Sequence, residues 1–148
     1  MGDLEMLLPV EIAGGEDVAS LVQVLLDSGK TLGIDISPDM ALRLIQNRQT
    51  ALRTTGRLEF GPGILPELVK AFADSPFIEC LERDLCALNE AFYQLKNETR
   101  EALSDEELLD WMEKSFNGWC KGSLDLLMGR GLEHIYTLRR RQFFTILM

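Results

Sequence analysis

An all-α fold, an irregular bundle of five to six helices, is what this sequence predicts, and three observations carry the prediction. Six apolar residues, Ile78, Leu81, Leu85, Leu88, Phe92 and Leu95, fall at steps of three, four, three, four and three, which lays one apolar seam along a helix. Helix-start chemistry recurs at Ser37-Pro38-Asp39, Ser75-Pro76, Ser104-Asp105-Glu106-Glu107 and Ser123. Polar and apolar residues alternate only over Arg57-Leu58-Glu59-Phe60, so the fold holds at most a short two-stranded β element near residues 57–60.

Taken in order, the first helix is expected from Glu16 to Ser28, with Val18, Leu21, Val22 and Leu25 at helical spacing and Gly29 as its stop. Ser37 as cap, Pro38 at the first helical position and Asp39 in the first turn open a second helix that ends by Thr54 or Gly56. The run Gly61-Pro62-Gly63 marks a turn, and Ile64 to Ala73 reads as a brief third helix. Ser75-Pro76 is expected to open the fourth, which carries the seam. Ser104 to Glu107 forms a capping box for the fifth, with Leu108, Leu109, Met112 and Phe116 on its buried face and Gly118 as terminator. Ser123 caps a last helix that Gly129 and Gly131 interrupt or pack closely.

Composition supports one helical domain over residues 1–148 with an apolar tail at 143–148. A chain of 148 residues, 46% apolar and 26% charged, has the globular balance and the length to bury a core without staples. Cys80, Cys86 and Cys120 lack the spacing of a zinc knuckle or redox pair and read as reduced thiols. Asp3 and Glu5 stand where a secretory signal would carry positive charge, and no apolar run approaches the roughly 18 residues a membrane span needs. A cytoplasmic location with no membrane contact is therefore expected.

The net charge of −9 opposes broad attraction to a phosphate backbone. Its distribution is uneven. Residues 64–113 hold thirteen Asp/Glu against four Lys/Arg, whereas residues 38–57 and 130–148 are each +3.

Thr55 to Pro76, TGRLEFGPGILPELVKAFADSP, and Phe116 to Leu124, FNGWCKGSL, resemble stretches of an uncharacterised bacterial family, a domain of unknown function from Firmicutes. With weaker likeness in the second, fourth and fifth helices, the resemblance spans roughly residues 30–130 and leaves the C-terminal FFTILM outside. It implies a bacterial cytosolic protein and assigns no catalytic residue.

The anomaly nearest to chemistry is Arg48. At 100° per residue, Met40, Ala41, Leu44, Ile45, Ala51 and Leu52 form an apolar arc with Arg48 near its middle, so this guanidinium must meet a carboxylate or face a cleft. Arg57 and Glu59 project to the same side of their short extended segment, beside glycines that allow close backbone approach. The plain reading is a local turn with solvated charges; the functional one adds both residues to an anion site around Arg48. His134, the single histidine, lies at the edge of the last helix's apolar face and joins that ligand-binding set: Arg48, Arg57, Glu59 and His134. A dyad of His134 with Cys120 or Cys86 lacks a nucleophile motif, so no catalytic residue is assigned. Asp105, Glu106, Glu107 and Asp110 open a helix rather than alternate around a calcium loop, so no metal is assigned either. No cofactor is expected.

Trp111, Trp119, Phe143 and Phe144 offer large apolar surface and form the expected interaction surface. Three functions follow, in order of support. The first is a non-enzymatic interaction or accessory/adaptor protein, with a protein partner or a homodimer. The second is a small-anion binder or enzyme with its cleft at Arg48. The third is a nucleic-acid regulator using Arg43, Arg48 and Arg53 or Arg139-Arg140-Arg141, which the charge balance opposes.

Overall fold

The computed structural model describes the side chains of residues 17–100, 102–138 and 140, and the helical backbone on to residue 147. Six α-helices lie within these residues: α1 (Val18–Leu32), α2 (Pro38–Thr55), α3 (Leu65–Phe72), α4 (Leu81–Glu98), α5 (Asp105–Asn117) and α6 (Leu124–Leu147). No strand forms among the described residues, and the segment 57–60 is irregular.

Most helix ends follow the local chemistry. Ser37 Oγ accepts from the Met40 amide at 3.1 Å to start α2, and Gly56, at φ 68°, closes it in the left-handed conformation that glycine adopts without penalty. The capping box at α5 is complete: Ser104 Oγ accepts from Glu107 N at 3.1 Å, and Glu107 Oε1 accepts from Ser104 N at 2.9 Å. Ser123 Oγ accepts from the Leu126 amide at 3.2 Å at the start of α6, which runs through Gly129 and Gly131 without a break.

Two helix boundaries depart from expectation. Gly29 does not stop α1, which starts two residues late, at Val18 on an Asp17 cap, and continues to Leu32, where Gly33 supplies the left-handed turn. Gly29 is instead a packing glycine, since a Cβ there would stand 3.1 Å from the Ile34 carbonyl and 3.2 Å from the Ile36 side chain. Ser75-Pro76 forms a turn and opens no helix: Ser75 Oγ accepts from the Phe77 amide two residues on, at 3.3 Å, and donates to Asn117 Oδ1 at the end of α5. α4 starts at Leu81, where Asp84 reaches back to accept from the amides of Glu79 at 2.8 Å and Cys80 at 3.1 Å.

The seam of α4 faces the interior: Leu85, Leu88, Phe92 and Leu95 are fully buried, whereas Leu81 is half-buried and Ile78 precedes the helix. Its most extensive neighbour is α2; α1 packs on α2 and α3, and α5 and α6 cover the other side of α4. Side chains of all six helices meet in one apolar cluster, with the Phe72 and Phe116 rings edge to face at 5.6 Å. Ser75, the neighbouring Phe77, Asn117 and Gly122 bring the two family-like stretches together. Phe77 stacks edge to face on Phe116, and a Cβ on Gly122 would collide with Phe77.

Candidate functional site

α2 carries Arg48 into the core, where it is 2% exposed, and the chain must return a carboxylate to it. Gly56 reverses the chain after α2, and three residues later Glu59 enters the protein. Glu59 Oε1 accepts from Arg48 Nε at 3.0 Å and from the Tyr93 hydroxyl of α4 at 2.6 Å; Oε2 faces Arg57 Nε at 3.4 Å. Burial, then the adjacent Glu59 charge, pushes the Tyr93 phenol far above its ordinary range, so it stays a donor.

The alternation of charge continues outward. Arg57 Nη2 reaches both carboxylate oxygens of Asp105, at 3.0 and 3.2 Å, and Asp105 Oδ1 also lies 2.9 Å from Lys96 Nζ. Lys96 is 5% exposed and donates to the Leu103 carbonyl as well. Arg48, Glu59, Arg57, Asp105 and Lys96 thus form one string from the α2–α4 core to the first turn of α5.

Space for Glu59 is made by Gly63, whose φ is 57° and where a Cβ would sit only 2.0 Å from Glu59 Oε1. The close backbone approach expected of these glycines is therefore spent on an internal carboxylate. With Arg57 and Glu59 turned inward, Leu58 and Phe60 point to solvent, 76% and 72% exposed. The loop is inside out: charge is buried and hydrocarbon displayed.

Arg48 is closed off by Glu59 and Tyr93 and does not line the cleft beside them. That cleft, about 580 Å³, is lined by Arg57, Lys96, Arg100, Thr55, Asn97 and Leu58, together with Gly56 and Tyr93. Lys96, Arg100 and Tyr93 were not singled out by sequence reasoning, and no local pattern marks the first two as neighbours of Arg57.

His134 stands apart from this network. Its Nδ1 accepts from the indole N–H of Trp111 at 2.9 Å, and the Trp119 ring lies edge to face on it at 5.4 Å. The three aromatic residues line a groove of about 420 Å³ between α5 and α6. Trp111 and Trp119, expected together as interaction surface, do share this groove; the side chains of Phe143 and Phe144 lie outside the described residues. Gly131 lets α6 approach, since a Cβ there would stand 2.9 Å from Trp111 Cη2.

The remaining candidates resolve into structural pairs. Burial, reinforced by Glu82 and Glu90, lifts the Cys86 thiol to about 11, and burial also raises Cys120, so both are protonated and poor nucleophiles at neutral pH. Asp105 pairs with Arg57 and Lys96, Glu107 completes the capping box, and Asp110 meets Lys114 at 2.9 Å. Among the described residues no group of three His, Cys, Asp or Glu could hold a metal ion. Arg43 is bidentate on Glu82 at 2.7 and 2.8 Å. No helix among the described residues is long and apolar enough to cross a membrane.

No curated protein and no solved structure matches the chain significantly. A family model does, over residues 22–144, which extends past the expected 30–130 at both ends and takes in Phe143 and Phe144. The chain belongs to this family of unknown function, DUF6323.

Proposed function

We propose that this chain works by protein–protein contact, as a non-enzymatic accessory or adaptor subunit, and that the loop 57–60 is its point of attachment. The observation that carries the reading is the outward display of Leu58 and Phe60 on either side of the locked Glu59. Each such side chain leaves about 1.5–3 kcal/mol of burial unrealised in the free protein. Because the Glu59 anchor holds the loop, docking orders little that is not already ordered.

The partner is expected to offer an apolar pocket with a carboxylate at its rim, complementary to Leu58, Phe60 and the nearby Arg100. A different protein fits better than a second copy, because a two-fold contact through this loop would bring the exposed Arg100 of each copy together. The free thiols Cys80, Cys86 and Cys120 support a reducing setting such as the bacterial cytoplasm. The nucleic-acid reading loses one of its basic residues to Glu82, which takes up the Arg43 fork, and another to Glu59, which takes up Arg48.

The test is a quantitative pull-down from native lysate with the wild type, the Leu58→Ser/Phe60→Ser variant and the conservative Leu58→Met/Phe60→Tyr variant. A specific protein should be retained by the first and third and lost by the second, with unchanged far-UV circular dichroism. Identical recoveries for all three would reject the loop as the attachment point.

A further inference from the structure

We propose that the groove between α5 and α6 binds a planar heteroaromatic molecule of one or two rings, stacked on Trp119 and accepting, through a carbonyl oxygen or ring nitrogen, from His134 Nε2–H and the Ser115 hydroxyl. This site is independent of the attachment role of Leu58 and Phe60.

Two polar groups on the wall of the groove are without partners. An indole N–H can only donate, so the 2.9 Å bond from Trp111 makes His134 Nδ1 the acceptor and puts the ring's proton on Nε2. Among the described residues that Nε2–H has no acceptor. Ser115 is the second case. Elsewhere in these helices the hydroxyls of Ser28, Thr54, Thr55, Thr99 and Thr137 each return to the carbonyl four residues back. The Ser115 hydroxyl does not, and among the described residues it makes no hydrogen bond, although the residue is only 4% exposed. A polar group this deep ordinarily has a partner.

The hydroxyl is open on one side, and that side is the groove. Asn89 Oδ1 is the one side-chain atom among the described residues that is sealed from solvent without a partner, so Ser115 Oγ is not sealed. Ser115 lies on the stripe of α5 that walls the groove, four residues beyond Trp111 and eight beyond Glu107. The charged groups of this stripe are already engaged: Asp110 meets Lys114 at 2.9 Å, and Glu107 serves the capping box. What the described wall has left to offer is two uncharged donors.

The rings around these donors are held for stacking. Trp111, 7% exposed, is fixed by its bond to His134 and by the close approach of Gly131. Trp119 touches His134 edge to face at 5.4 Å and is still 41% exposed, so indole surface remains uncovered. Ile135 and Leu138 add apolar wall. A flat ring can cover Trp119 while an acceptor at its edge meets the donors, and an aliphatic ligand would leave the stacking surface unused. The volume of about 420 Å³ suits a small molecule, since such sites run from about 300 to 1,000 Å³.

Trp111 and Trp119 are the only tryptophans in the chain, so indole emission reads this groove and nothing else. The full chain is titrated with nicotinamide and hypoxanthine, beside toluene, which has the ring without the acceptor, and cyclohexanecarboxamide, which has the acceptor without an aromatic ring. Calorimetry gives the affinity and tryptophan emission gives the place. At least one heteroaromatic should bind one to one with a Kd below about 1 mM and shift the emission. Both controls should bind about tenfold more weakly or worse. Ser115→Ala separates binding from folding. It breaks no hydrogen bond of the fold and installs a better helix former, so the melting temperature should hold or rise while the heteroaromatic binds about fivefold more weakly. Trp119→Leu, which removes the stacking surface, should weaken it about tenfold. The proposal is overturned if neither heteroaromatic binds, if binding leaves the emission unchanged, if toluene binds as well, or if either variant binds as tightly as the wild type.

Discussion

Removing the charge of Glu59 tests the organisation of the buried network, and its cost follows from the geometry. Glu59→Gln keeps the shape but leaves the Arg48 guanidinium, 2% exposed, without a counter-charge, and it withdraws one of the oxygens shared by Arg48, Tyr93 and Arg57. Breaking one side of a buried ion pair costs about 3–5 kcal/mol, a large part of the roughly 5–15 kcal/mol that holds such a domain together. Arg48→Met should cost less, because Glu59 keeps Tyr93 and Arg57. The double variant Arg48→Met/Glu59→Leu should recover much of the loss, and about 1–2 kcal/mol should remain because the buried Tyr93 hydroxyl then lacks its acceptor. Urea unfolding followed by far-UV circular dichroism of the wild type, Arg48→Met, Glu59→Leu and the double variant gives a double-mutant cycle, with Glu59→Gln measured beside it. If Glu59→Gln costs under about 1 kcal/mol, or if the double variant loses the sum of the singles, the pair is not the mutual compensation described.

Three further outcomes are expected. Gly129→Ala, with nothing within 4 Å of the new methyl, should stabilise α6 by about 0.5–1 kcal/mol, whereas Gly131→Ala should destabilise by about 1–3 kcal/mol by meeting the Trp111 ring; thermal melts of the pair read the opposite signs. With an aromatic disulfide reagent on the native protein, exposed Cys80 should react first, and Cys86, lifted to about 11, and buried Cys120 should react fully only on unfolding; three equally fast thiols would contradict the burial. Burial pushes the Asp84 carboxyl up, but the Glu79 and Cys80 amides and Arg83 together hold it below its ordinary 3.8. Its contribution to stability is therefore present above that value and lost as pH falls through the lowered one. Asp84→Asn should flatten the loss of stability measured below about pH 4, and an unchanged acid limb would remove Asp84 as the cap of α4.

Local chemistry made most of the helices legible. Ser37-Pro38, the Ser104–Glu107 box and the α4 seam each draw on residues within one or two turns of one another, so the sequence contains the whole cause. Ser75-Pro76 misled because its serine accepts from the Phe77 amide in a local turn and donates to Asn117, 42 residues away, a contact that the segment itself does not encode. Gly29 misled because a glycine can serve packing as well as termination, and of the two glycines near the end of α1 it is Gly33 that has the left-handed φ.

The site was legible in part for the same reason. Helical periodicity turned Arg48 inward, and the two-residue parity of Arg57 and Glu59 put them on one side. Parity does not say which side faces the core, and apolar Leu58 and Phe60 would ordinarily claim it. The need of Arg48 for a carboxylate, and the room left by Gly63, decided otherwise. Lys96, Arg100 and the meeting of Trp111 with His134 depend on how separate helices dock, which no single segment encodes.

Hydroxyl-radical footprinting of the native chain reads the inverted loop most directly. Leu58 and Phe60 should label rapidly while Tyr93, Phe92 and Phe72, all fully buried, stay protected until the protein unfolds. Protection of Phe60 together with labelling of Tyr93 would mean that the hydrocarbon lies inside and the charges outside, and would contradict the account.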